Sequence, residues 1–181
     1  MAWSQIKAEL GELPKEKLIE ILKGLHGLSA QNKAWLAAQT LPVAQDGEYF
    51  HTCREKVVKL VYDSRRKMPD MPRFRDAKKV ITEYKNATRD LTGTLELMLT
   101  YVERGHAFTN DFGDIDEPFY NTLLNMFERF VTELKKAHSA PELYHRFRQR
   151  LIKMRNTSEI GWGYGDEIQD TVDELETMFG G

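Results

Sequence analysis

Between Pro118 and Leu134 the apolar residues Tyr120, Leu123, Leu124, Phe127, Phe130, Val131 and Leu134 recur at steps of three and four. Side chains at that spacing fall on one side of a coil with 3.6 residues per turn, so the segment predicts an α-helix with one buried face. Asp116 or Glu117 stands where a cap is needed, and Pro118 stands in the first turn, where a missing N–H costs nothing. The same period governs most of the chain. No segment alternates at period two with β-branched enrichment, so no sheet is expected.

Ser4 is placed to cap a short helix through Leu10. Pro14 opens a second helix with the apolar stripe Leu18, Ile21, Leu22 and Leu25, loosened at its end by Gly24 and Gly27. Ser29 caps a third, with Trp35, Ala38 and Leu41 on one side and Pro42 as its stop. These three are expected to form a compact amino-terminal layer over residues 1–42. Gln45 to Lys67 reads as one long helix through Phe50, Cys53, Val57, Leu60, Val61 and Ser64, terminated by Pro69 and Pro72. Phe74, Ala77, Ile81 and Tyr84 mark an antiparallel neighbour, and Leu91, Leu95, Met98 and Val102 mark another. Leu97, Leu99 and Tyr101 surround that last helix with apolar residues, which places it at the centre. Gly105 to Asp116 reads as a loop. Beyond the helix that Pro118 opens, one runs from about Pro141 to Arg155 (Leu143, Phe147, Leu151, Met154) and the last from about Asp166 (Ile168, Val172, Leu175, Phe179).

The expected fold is therefore all-α: about nine helices in antiparallel hairpins, forming an irregular bundle or a short α-solenoid-like array. A single domain spans 1–181, with the main array over 45–181. No fixed-period motif of the tetratricopeptide or ankyrin kind is present. With 181 residues, 41% hydrophobic and 30% charged, the chain can fill one core and lies far from disordered compositions.

The net charge of −2 gives no global field toward nucleic acid or a membrane, but charge is segmented. Residues 54–89 carry 12 bases against 5 acids, residues 135–155 carry 7 against 1, and residues 156–181 carry 7 acids and no base. Cys53 is the one cysteine, which excludes an internal disulfide and a multi-thiolate metal centre. The start, Met1-Ala2-Trp3-Ser4-Gln5, lacks a basic region followed by an apolar stretch, and no run approaches the ~18 apolar residues of a membrane span. The expected location is the cytoplasm, with no membrane partner.

Three places merit chemical scrutiny. Asp111, Asp114 and Asp116, beside Asn110 and Glu117, offer the clustered oxygens that calcium or magnesium prefer. Phe112 and Ile115 break the EF-hand register, however, and a turn at Gly113 followed by a helix cap accounts for the same acids. In Gly161-Trp162-Gly163-Tyr164-Gly165 the glycines resemble a phosphate loop, but no strand precedes it, and Asp166, Glu167 and Asp170 would repel phosphate. Trp162 and Tyr164 are instead expected to dock across helices, or to contact a partner if exposed. The basic stretch Arg65, Arg66, Lys67, Arg73, Arg75, Lys78 and Lys79 and the second stretch Arg146, Arg148, Arg150, Lys153 and Arg155 could track phosphates, or form solvated faces paired with acids. Cys53 lies on an apolar stripe and reads as a core thiol. His26, His51, His106, His138 and His145 include no pair at i and i+4, and neither a glycine-framed serine nor a Walker loop occurs.

Thr109-Asn110-Asp111-Phe112-Gly113-Asp114-Ile115-Asp116-Glu117-Pro118-Phe119-Tyr120-Asn121 and Asn156-Thr157-Ser158-Glu159-Ile160-Gly161-Trp162-Gly163-Tyr164-Gly165-Asp166 carry a family likeness. With Leu13-Pro14-Lys15-Glu16-Lys17-Leu18-Ile19-Glu20, the chain resembles an uncharacterised bacterial family, domain of unknown function 6155. The resemblance implies a bacterial source and a helical fold, and it supplies no catalytic residue. Where that family has a His after the loop aromatic, this chain has Gly165, so no role for such a His carries over.

The expected function is a non-enzymatic helical interaction or scaffold protein that binds another protein, without a cofactor and with Trp162, Tyr164 and the basic residues as partner contacts. The alternative is nucleic-acid binding through 54–89 and 135–155. A third possibility is a metal-dependent hydrolase built on residues 111–117, using calcium or magnesium.

Overall fold

The computed structural model describes residues 2–40, 47–68, 70–157 and 161–180. Leu41, Pro42, Gln45, Pro69 and Ser158-Glu159-Ile160 lie outside the described residues, as does the side chain of Ala38. Nine α-helices make up the described chain, with no strand among the described residues: α1 (Trp3–Gly11), α2 (Lys15–Leu28), α3 (Ala30–Thr40), α4 (Glu48–Val61), α5 (Phe74–Thr88), α6 (Leu91–Phe112), α7 (Glu117–Lys135), α8 (Ala140–Asn156) and α9 (Tyr164–Phe179).

The hydrophobic core lies between α4 and α9. Thirteen of the 22 residues of α6 are buried, on all its sides, and α4, α5, α7 and α8 pack around it. That central position is the one the apolar encirclement by Leu97, Leu99 and Tyr101 predicts. Asp90 starts α6 by accepting the Gly93 N–H at 3.0 Å and also takes the Tyr84 hydroxyl at 2.7 Å. On α7 the stripe Tyr120, Leu123, Phe127, Phe130, Val131 and Leu134 is buried, and Asp116 caps the helix through the Phe119 N–H at 2.9 Å. Close approach of α6 and α7 depends on Gly105, where a methyl would overlap the side chain of Leu123. Cys53 is buried in the core.

Several boundaries depart from the sequence expectation. Ser4 sits inside α1 and makes no cap, since the helix already begins at Trp3 after Ala2. Ser29 does accept the Asn32 N–H at 3.0 Å, as a cap for α3 should. The helix expected to reach Lys67 stops at Val61, because Tyr62 turns extended (φ −161°, ψ 121°) to bury its ring. Asp63 then holds the turn, accepting from the Arg65 backbone N–H and guanidinium. Conversely, the loop expected from Gly105 is helical as far as Phe112, and only residues 113–116 link α6 to α7. Two glycines, at 105 and 113, read as breakers. The first is a helix–helix contact and only the second, at φ 86°, ends the helix.

The amino-terminal helices, expected as a compact layer, pack only lightly among the described residues. Packing runs from α2 to α3 and from α3 to α5, but neither α1 nor α2 has a buried residue, and Trp35 of α3 faces solvent.

Candidate interaction surface

The two loops singled out in the sequence meet. The last turn of α6 supplies Thr109 and Asp111, the following segment supplies Asp114, α7 supplies Tyr120, the α8–α9 connection supplies Thr157 and Gly161, and the start of α9 supplies Tyr164. The Tyr120 hydroxyl donates to Asp114 Oδ1 at 2.5 Å and touches Thr109 Oγ1 at 2.7 Å. A Cβ at Gly161 would stand 2.5 Å from Asp114 Oδ2, so the Asp114 carboxylate sits directly against the Gly161 backbone. The Tyr164 ring lies on Tyr120 and His106, with centroids 5.4 and 5.9 Å apart.

This junction is packed rather than open. Tyr164 and Tyr120 are at most 1% exposed, and His106 and Thr109 are buried as well. Burial raises the phenol of Tyr120, helped by its bond to the Asp114 carboxylate, and burial raises Tyr164 too. His106 Nε2 is 2.9 Å from Thr157 Oγ1, whose hydroxyl also reaches the carbonyls of Lys153 (3.0 Å) and Met154 (3.2 Å). With the threonine proton committed to a carbonyl, Nε2–H is the donor and Nδ1 is a bare acceptor. Nδ1 has no hydrogen-bond partner among the described residues, nor do the hydroxyls of Tyr164 and Tyr101. Burial lowers the His106 pKa, so the ring is neutral at neutral pH.

The three candidate metal ligands are engaged by three different partners. Asp111 takes the Tyr62 hydroxyl at 2.5 Å, Asp114 takes Tyr120, and Asp116 caps α7. Among the described residues no group of three His, Cys, Asp or Glu side chains is arranged to hold a metal ion. The two loop aromatics separate as well. Tyr164 is wholly buried, which removes it from the partner-contact residues, because the αL turn at Gly163 sends it into the core as the first residue of α9. Trp162, at φ 61°, is 60% exposed.

The basic stretches are largely matched by acids. Arg65 pairs with Asp63 and Glu55, Arg66 with Asp70, Arg73 with Asp76, and Lys79 with Glu83 at 4.0 Å. Arg75 and Lys78 form no ion pair among the described residues. In the second stretch Arg150 grips Glu96 and Glu103 of α6, while Arg148 and Arg155 pair with Glu176 and Asp173 of the acidic α9. The positive helix and the negative one thus neutralise each other.

The largest unsatisfied feature is apolar. Leu28 is 75% exposed, Trp3 68%, Ile19 54%, Trp35 46%, and Leu22 and Leu25 44% each, with Ile6 and Ile21 also at the surface. On α2, Leu18, Ile21, Leu22, Leu25 and Leu28 span about 120° of arc at 100° per residue, the width of a stripe meant for burial. The same stripe was expected to belong to a compact amino-terminal layer of three helices. Ile19, on the opposite flank of α2, was the available sign that three short helices could not cover their own apolar residues. Among the described residues no helix is long and apolar enough to cross a membrane. Comparison with protein-family models, curated proteins and solved structures found no match.

Proposed function

We propose that this chain is a non-enzymatic helical interaction protein that docks another protein on its amino-terminal helices. The observation that carries this reading is the exposed α2 stripe, on a helix with no buried residue of its own. Contiguous apolar surface beyond a few hundred Å² is uncommon on monomers and marks interaction sites. A bacterial cytoplasmic setting and kinship with domain of unknown function 6155 belong to the same proposal and assign no reaction. The nucleic-acid alternative has less support, because Arg65, Arg66, Arg73 and Lys79 each face a carboxylate. The hydrolase alternative has less support too, because Asp111, Asp114 and Asp116 are each bound to a different partner.

The test is affinity capture from native lysate with the full chain and with a Leu22→Glu/Leu25→Glu variant as baits. A protein retained by the first and lost by the second is expected. Recovery of no such protein under several lysis conditions would overturn the reading.

A further inference from the structure

Of the five histidines, four are exposed and only His106 is buried. Its cover is thin on one side, because Thr157, which ends α8 and receives the Nε2–H, is itself exposed. We propose that His106 is a proton-operated latch, which on protonation at Nδ1 releases the end of α8 and the start of α9 from α6.

The chemistry of the ring carries this. In the neutral imidazole Nδ1 is a bare acceptor without a partner among the described residues, an omission that native cores tolerate at a few places. Protonation turns the same atom into an N–H donor on a cation. A buried charge without a partner costs far more than a buried lone pair, and burial is the chief reason the pKa of this ring is lowered.

No neighbour is free to take the new donor. On α6, Glu103 stands one turn away and its charge favours the protonated ring, but Arg150 of α8 grips both of its oxygens, at 2.8 and 2.7 Å. Asp114, ahead of α7, is engaged by the Tyr120 hydroxyl of α7 and stands against Gly161. Tyr164 of α9 lies on the imidazole with centroids 5.9 Å apart, and its hydroxyl makes no bond to the ring. On α8, Thr157 already serves Nε2. The remaining partner for the charge is water, and the way to water is past Thr157.

The release is local because of how α8 is held. Its middle is pinned to α6 through Arg150 on Glu96 and Glu103, so only the residues beyond Arg150 are able to lift. Otherwise α8 packs mainly on α9 and only slightly on α6. Arg155 and Asp173 tie α8 to α9, so the two helix ends leave α6 together without parting.

Amide hydrogen exchange of the full chain, followed by NMR from about pH 7.5 to about pH 5.5 and referred to the unstructured rate at each pH, tests this. The reporting amides are those of Thr157, Tyr164 and Glu167, bonded to the carbonyls of Met154, Gly161 and Gly163. Below the ordinary histidine value near 6.5 their protection is expected to fall by up to about tenfold per pH unit, while amides in the middle of α6 and α7 keep theirs. In His106→Gln, which keeps a donor for Thr157 and gains no proton, protection at the three amides stays level. Should that variant fail to fold by circular dichroism, Thr157→Val, which removes the catch, is expected to lower protection of Tyr164 and Glu167 already at neutral pH. Protection independent of pH in the native chain overturns the proposal. So does an equal loss in His106→Gln, an equal loss throughout α6 and α7, or undiminished protection in Thr157→Val.

Discussion

The Tyr62 hydroxyl donates to Asp111 Oδ2 at 2.5 Å and so ties the segment leaving α4 to the last turn of α6. The ring is held edge-on by Phe108 and Phe112, with centroids 5.6 and 6.0 Å away. Tyr62→Phe keeps that packing and removes only the bond, leaving Asp111 partly solvated. A hydrogen bond to a charged group contributes about 1.5–3 kcal/mol, and for a chain of this length each kcal/mol shifts Tm by roughly 2–4 °C. A fall in Tm of several degrees in a thermal melt is expected. An unchanged Tm would show that the tether contributes nothing.

Gly105 fixes the spacing of α6 and α7. Gly105→Ala forces a methyl into Leu123, and overpacking a filled core costs about 1–3 kcal/mol. Combining it with Leu123→Ala is expected to give less than the sum of the two losses, because the shortened side chain vacates the space. Urea denaturation of the four species measures the coupling. Strict additivity would mean that the two positions do not touch.

His106 makes stability fall on acidification. Burial lowers its pKa in the folded chain, so the neutral form is favoured there and the unfolded chain binds the proton more readily. Its contribution is full above the ordinary histidine value near 6.5 and is lost as pH drops from there through the folded value. The slope approaches about 1.4 kcal/mol per pH unit for one proton. Urea midpoints at neutral and mildly acidic pH should show this decline, and His106→Phe should flatten it. An equal decline in His106→Phe would assign it elsewhere.

Glu176 reports on the α8–α9 pair. The Arg148 guanidinium, then the Tyr144 hydroxyl, hold its carboxyl at about 2. Because the folded value is depressed, the pair's contribution is present above the usual carboxylate range and disappears as pH falls toward 2. The carboxyl carbon of Glu176, followed by NMR, should titrate near that value in the native chain and move upward in Arg148→Met. An ordinary midpoint in the native chain would remove the pair.

The helices from α4 onward were legible because each has one dominant apolar stripe, and α6, ringed by such residues, declared its place. Glycine misled at Gly105, where the missing side chain serves packing, not chain reversal. Tyr62 was unreadable for a related reason. Nothing local stops α4 at Val61, and the stop comes from a ring seated against Phe108, 46 positions later in sequence. The junction of residues 109–116 with 157–164 was legible as two unusual loops but not as one place, since contact across roughly 50 positions leaves no periodic trace. The fate of α2 was hidden differently. Amphipathic patterning states that a face is to be covered, and it is silent about whether the cover comes from the same chain.

Because neither α1 nor α2 buries a residue, their order is not underwritten by the core that holds α6. Amide hydrogens there should exchange through local opening long before the centre yields. An arriving companion would then have to still about forty residues before profiting from contact, which lowers affinity for a given area and keeps the union reversible. Occupancy of that end would register as slowed exchange confined to the first three helices, a signal the rest of the molecule does not share.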